Sequence, residues 1–201
     1  MGKKIFLTGA ILITTALVFS AQKAEAGVNN KLRLRNAVIT AIDTETKTIT
    51  AEKNDVSYVI DASKAIFKRK YGARCDIYEL MVGDYIRVWG VISGTNITAI
   101  KVKDYSIQRW RGSFVGTITT IDSEIYSDNK GQTFRQFEIK SHYRGNQIIR
   151  VYDTTQIKYK RTSKAFTDLA IGQKIVAKGI WNNTQSLVYN TKWVKIKKLV
   201  E

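Results

Sequence analysis

Proline is absent from all 201 residues, cysteine and histidine occur once each, and acidic residues are outnumbered 17 to 33 by lysine and arginine. With Cys75 alone, no disulfide can form within the chain. A free cysteine behaves as a small hydrophobe, so Cys75 reads as buried and inert rather than as a pairing site between chains. One cysteine and one histidine exclude a metal site built on those ligands. His142 lies in a polar turn segment with no nucleophile motif around it, which suits a solvated turn residue better than an acid–base catalyst. No glycine-rich phosphate loop is present. Long apolar runs are also scarce. The one near the start, Ile5 to Ser20, has 16 residues, short of the roughly 20 needed to cross a bilayer.

That run belongs to an export signal over residues 1–26. Lys3 and Lys4 precede it, and Ala24-Glu25-Ala26 forms a small-x-small cleavage pattern before Gly27. The expectation is an exported chain, periplasmic or extracellular, with no transmembrane segment once cut. Cleavage removes Lys3, Lys4, Lys23 and Glu25, leaving 30 basic and 16 acidic residues, a net charge of +14 over 175 residues. Such an excess attracts polyanions and anionic membrane faces, and speaks to partners rather than to fold.

What the sequence does have is an internal repeat. Gly83-Asp84-Tyr85-Ile86-Arg87-Val88-Trp89-Gly90 returns as Gly172-Gln173-Lys174-Ile175-Val176-Ala177-Lys178-Gly179. Tyr58-Val59-Ile60-Asp61 returns as Arg150-Val151-Tyr152-Asp153, and Phe67-Lys68-Arg69 is matched to Tyr159-Lys160-Arg161. Ile42-Asp43 and Ile121-Asp122 close the first strand of each half. Two copies of one unit set both domain count and strand order. Short alternating runs rich in Ile, Val, Thr and Tyr, bounded by Gly, Asn and Asp, predict strands at Ala37–Asp43, Thr48–Glu52, Val56–Asp61, Ala65–Lys68, Tyr85–Ile92 and Ile97–Lys103. A one-turn helix is expected at Tyr78–Gly83 and at Thr167–Gly172, the latter capped by Thr167. Three strands, a helical connection and two more strands is the order of an OB-type Greek-key barrel. The fold class is therefore all-β: two tandem OB-like barrels over 34–104 and 110–199. Gly90 and Gly179 are expected at equivalent bends of the fourth strand. The 13 extra residues of the second copy fall in the Tyr126–Gln132 loop and a longer hairpin near His142–Asn146. The short connector at Asp104–Arg109 implies that the halves touch.

The order Ile-Asp, an apolar strand ending in Asp, Leu-x-x-Gly-x-x-apolar-x-apolar-x-Gly and a closing strand resembles a bacterial exported domain of unknown function with an OB-like barrel. The resemblance covers both copies. It departs at Ala37-Val38, where the second copy has Val115-Gly116, and at Asp84, where the second has Gln173. It implies fold and export, and supplies no catalytic residues and no cofactor.

Asp43, Asp61, Asp122 and Asp153 recur at strand ends in both copies, as turn-forming acids do. No catalytic, metal or cofactor site is expected. Basic residues alternate with aromatics instead, and OB barrels bind single strands with a positive groove and stacking rings. The expected anion contacts are Lys68, Arg69, Lys160 and Arg161, bridged by Arg109 and Arg111, with Trp110 and Tyr159 as stacking surfaces. The expected role is a non-catalytic binding protein presenting a basic surface to nucleic acid, acidic polysaccharide or lipid headgroups. The alternative is a structural module docking to envelope proteins.

Overall fold

The computed structural model describes residues 31–108 and 111–198. The expected signal segment 1–26, with Arg109 and Trp110, lies outside the described residues. Thirteen strands and two short 3-10 turns make up the described chain.

The first half contains β1 (Lys31–Asp43), β2 (Thr48–Lys53), β3 (Val56–Asp61), β4 (Ile66–Lys68), β5 (Tyr85–Ser93) and β6 (Asn96–Asp104). β1, β2 and β3 form an antiparallel meander, β1 also pairs with β5, and β5 with β6. A parallel ladder between β3 and β6 then closes a five-strand barrel over residues 33–104. β4 lies parallel on the outer side of β6, with Phe67 beside Val102 and Lys68 beside Lys103. Alternation drives this closure. Ile86 and Val88 of β5 are buried while Tyr85, Arg87 and Trp89 turn outward, so each strand lends one face to the core.

β1 starts six residues before the sequence predicts. Asn36 takes a left-handed backbone (φ 56°) at a bulge, where the register with β5 shifts between Arg35 and Ala37. The bulge separates the segment Lys31–Arg35, which pairs only with β5, from the segment that pairs with β2. Asn tolerates that conformation better than most residues.

The second half is a further β-sheet region: β7 (Gly112–Ser127), β8 (Thr133–Ser141), β9 (Gly145–Tyr152), β10 (Gln156–Tyr159), β11 (Thr162–Lys164), β12 (Lys174–Asn182) and β13 (Leu187–Lys198). Each ladder of the first half has a counterpart: β7–β8–β9, β7–β12, β12–β13, the parallel β9–β13 pairing and the parallel β10–β13 pairing. Gly90 and Gly179 occupy equivalent irregularities. The register shifts at Trp89/Gly90 against β6 and at Lys178/Ile180 against β13. A side chain at Gly90 would run into the Thr98 carbonyl, and one at Gly179 would sit 2.9 Å from the Tyr189 carbonyl.

The helical connections are shorter than expected. They are 3-10 turns at Ile77–Glu79 and Phe166–Asp168. Thr167 lies inside its turn rather than capping it. The closing contact comes from Asp168, whose carboxylate accepts the Ala165 N–H at 2.8 Å.

Two cores result, one around Ile39, Ile49, Ile60 and Val88, the other around Phe114, Phe137, Ile149 and Val194. A third cluster of Ile107, Ile180, Leu187 and Tyr189 joins them, with Met81 packed against it. Backbone bonds tie the connector to the second half: Gln108 N–H to the Trp181 carbonyl at 3.0 Å, and Asn183 N–H to the Ser106 carbonyl at 2.9 Å.

Candidate functional site

Strand register corrects two sequence alignments. Ile60 meets Ile97 opposite Ile92, as Ile149 meets Val188 opposite Trp181, so Ile60 matches Ile149 and not Tyr152. The second correction changes which basic residues are equivalent. Val102 faces Val88 on one side and Phe67 on the other. In the second half, Val194 faces Ala177 and Ile157 in the same way. Val88 and Ala177 each stand two residues before the paired glycine, so Phe67 corresponds to Ile157, not to Tyr159. Lys68 therefore matches Lys158, and the equivalence of Lys68-Arg69 with Lys160-Arg161 is withdrawn. The spelling misled because aromatic-Lys-Arg occurs twice by chance, two residues out of phase.

The expected contacts separate accordingly. Lys68 is half-buried on the outer side of β4. Arg69 is committed elsewhere: its guanidinium forks onto Glu79, with Nε and Nη2 each 2.9 Å from a carboxylate oxygen. Its charge is thereby neutralised within the fold, and it leaves the set of anion contacts. Lys160, in the left-handed region at φ 54°, and Arg161 form the exposed turn between β10 and β11. Arg111 is exposed but tied to β13, donating to the Asn190 carbonyl at 3.2 Å and its side-chain oxygen at 2.7 Å. Tyr159 packs against the second core with Lys160 Nζ 5.4 Å from its ring centre, so it is no open stacking surface.

A different set of cations is brought together on the outer face of the first barrel. Arg35 of β1 lies opposite Arg87 of β5, Arg87 opposite Lys103 of β6, and Lys103 beside Lys68 of β4. Four cations thus stand side by side on four adjacent strands. At a strand spacing of about 4.8 Å, the row is about 14 Å long. A second row runs beside it: Arg33, Trp89 and Lys101. The rings lie beneath the cations. Lys101 Nζ is 4.0 Å from the Trp89 ring centre, with the Arg33 and Arg87 guanidiniums at 5.1 and 5.8 Å. Tyr105 carries Arg87 at 4.8 Å and Lys103 at 5.0 Å. Cation–ring contacts of this kind are worth about 0.5–2 kcal/mol each.

No cation of the band is paired with an acid, although Glu52 and Asp55 line the depression at its Arg35 end. Among the described residues, the ion pairs are Arg69–Glu79 and Lys130–Asp76, and neither involves it. The Arg87 Nε is shielded from solvent and has no hydrogen-bond partner. Like charges directly opposite one another destabilise a sheet, a cost that the ring contacts of Arg87 and Lys103 offset only in part. The second half keeps half of it. Lys195 and Lys158 stand at the positions of Lys103 and Lys68, but Val115 and Val176 replace Arg35 and Arg87. The Trp89–Lys101 cross-strand pair returns with its members exchanged, as Lys178 and Trp193.

Sequence reasoning overlooked this band because its members lie in four separate strands. A usable signal was the alternation Arg33-Leu34-Arg35, whose basic residues share one face once it is read as a strand.

Residues 36–103 match the model of a domain of unknown function, DUF5666. One copy is matched, in the first half. No curated protein and no solved structure matches the chain. The DUF5666 stretch takes in all of the band except Arg33 and Arg35 at its leading edge and the ring of Tyr105 at its trailing one.

Three of the four turn acids behave as the sequence implies, while Asp153 instead accepts the Thr133 hydroxyl at 3.0 Å. Asp43 accepts the N–H groups of Glu45 and Thr46, Asp61 that of Ser63, and Asp122 that of Glu124 and the Tyr126 hydroxyl. These bonds hold all three carboxyls below the usual range, the side-chain bonds with Thr46, Ser63 and Tyr126 contributing most. Cys75 packs against the first core, and burial pushes its thiol far up, with the Glu79 charge adding to the shift. That keeps the thiol protonated and a poor nucleophile.

Asp84 and Asp104 are another matter, being wholly buried. Asp104 Oδ1 accepts the Ser106 and Ile107 N–H groups at 2.6 and 3.1 Å, and Asp84 accepts from Met81 N–H and from the Asn182 amide at 2.7 Å. Burial, reinforced by the charge of Asp84, raises the Asp104 carboxyl to about 9. Both causes favour the protonated form of Asp104 at neutral pH. The second half has Gln173 and Ile196 at the equivalent positions, so the pair serves the junction with Asn182 rather than the fold common to both halves.

Proposed function

We propose that this chain is an exported, non-catalytic binding protein built of two tandem OB-like Greek-key barrels, which holds an anionic polymer on the basic outer face of its first barrel. The observation that carries the reading is the row Arg35, Arg87, Lys103 and Lys68: four laterally adjacent cations, none of them in an ion pair among the described residues, whose mutual repulsion the fold does not require. The matched ladders of the two halves support a repeated barrel, with the second copy diverged beyond the DUF5666 pattern.

Salt tests the reading directly. Binding to an immobilised polyanion should weaken linearly in log K against log salt, by about 0.7 per phosphate neutralised on a flexible strand. Four contacts give a slope near −3. Salt-insensitive retention, or none near 0.15 M salt, would favour the alternative of an assembly module docking to envelope proteins. The export half of the proposal has its own check. Mass spectrometry of protein recovered outside the cytoplasm should find Gly27 at the N-terminus, and retention of Lys3 and Lys4 would refute it.

A further inference from the structure

Resting on that reading, we propose that the band takes a linear polyol-phosphate chain, read by its phosphates and not by stacked bases. Proteins that hold single-stranded nucleic acid pair a positive track with aromatic faces on which successive bases lie. Here the two rings inside the band are already covered. Trp89 has three cations over or beside it and Tyr105 has two, the nearest being Lys101 Nζ at 4.0 Å. A base could reach either ring only by displacing the charges that attract its phosphate. The rings act as posts that hold long side chains in place, lowering the entropy lost when an anion arrives.

The shape of the site points the same way. The band is the outer face of four neighbouring strands, with cations at strand spacing and, at its Arg35 end, an open depression of about 680 Å³ that Glu52 and Asp55 also line. A face of that kind complements evenly spaced negative charge along a flexible chain. Arg35 and Arg87 add planar forks that suit phosphate oxygens. A cleft of about 400 Å³ between Tyr78, Lys130 and Tyr189 lies at the junction of the halves and is lined by neither row. One ring of this face is open: Tyr85, half exposed at the start of β5 and under no cation among the described residues. It provides an internal control for stacking.

The experiment compares four ligands on the full exported chain in low salt: poly(glycerol phosphate), single-stranded DNA with the same number of phosphates, an abasic strand of that length, and heparin. The three phosphate chains should bind within tenfold of one another, with heparin no tighter. Replacing Arg35, Arg87 and Lys103 together by Gln should weaken all three at least tenfold. The same replacement at Lys140, Lys174 and Lys197, exposed residues of the second half, removes equal charge and should cost less than threefold. Circular dichroism checks that both variants fold. Tyr85→Ala should leave every affinity within threefold. DNA binding more than tenfold tighter than both base-free chains, or a tenfold loss in Tyr85→Ala, would overturn the proposal by showing that bases are read. Tighter binding of heparin would overturn it in favour of a sulfated polysaccharide. Equal losses in the two triple variants would overturn the site. Failure of every polyanion to bind would instead remove the proposed function on which this inference rests.

Discussion

At the scale of single residues, the chain separates positions that tolerate no change from positions whose charge is spare. Gly90 is the clearest of the first kind. A methyl there would press on the Thr98 carbonyl and the Ala99 backbone, atoms that cannot rotate aside. Gly90→Ala should therefore destabilise by about 1–3 kcal/mol, seen as a lower urea midpoint with an unchanged slope. Asp104 is the second case, and it makes stability depend on pH. Its carboxyl ordinarily titrates near 3.8 and is raised to about 9 in the folded state. Below pH 3.8 both folded and unfolded chains hold the proton, and the contribution is full. Between 3.8 and 9 only the folded chain holds it, so stability falls as pH rises, by at most about 1.4 kcal/mol per unit. Asp43, Asp61 and Asp122 act in the opposite direction, since their lowered carboxyls favour folding above the ordinary range and lose that advantage in acid. Thermal midpoints should peak in weak acid and decline toward pH 9. Asp104→Asn, which keeps an acceptor for Ser106 and Ile107, should flatten that decline.

At the scale of elements, the parts of the second half that differ from the first are what bind the two together. The loop after β7, part of the insertion, reaches across: the Asn129 amide donates to the Leu80 carbonyl at 3.1 Å, and Lys130 Nζ is 2.7 Å from Asp76. The turn after β12 does the same from the other side, with Asn182 on Asp84, Thr184 on the Ser106 hydroxyl and Gln185 on the Val82 carbonyl. Asn182 is the keystone, because its side-chain oxygen also accepts the N–H groups of Thr184 and Gln185. Asn182→Ala would leave a buried carboxyl and two amides without their partner, costing about 1–3 kcal/mol. Unfolding followed separately by fluorescence and circular dichroism should then lose coincidence as the halves uncouple. Lys130→Ala should cost under about 1 kcal/mol, since that pair is solvent-exposed.

At the scale of the whole molecule, charge and architecture are unevenly shared. Both halves keep the same ladders, yet the four-cation row exists only in the first. The second half contributes the junction and retains two of the four positions. On the proposed reading an asymmetric array follows, in which the first barrel would carry the anion contacts and the second half braces it. On the proposed reading, restoring the row in the second half by Val115→Arg with Val176→Arg should raise affinity for a long phosphate chain more than for a short one, because only a long chain reaches both faces. Titration with chains of graded length measures this.

Much was legible from sequence because alternation and repetition are local signals. Strand positions of the first half, the paired-glycine bends and the turn acids Asp43, Asp61 and Asp122 could all be read from spacing, since each depends on neighbours a few residues away. The net charge, too, belongs to composition alone. What sequence could not decide was which charges meet. Arg69 looked free beside Lys68, yet Glu79, ten residues on, folds back to neutralise it. Lys160 and Arg161 looked equivalent to Lys68 and Arg69 until the parallel ladders of β4 and β10 set the phase two residues apart. Arg35, Arg87, Lys103 and Lys68 span 69 positions of the chain, and only lateral pairing of β1, β5, β6 and β4 places them in one row. Period and composition fix what each strand presents to water. Register, which is a relation between distant strands, fixes what that surface adds up to.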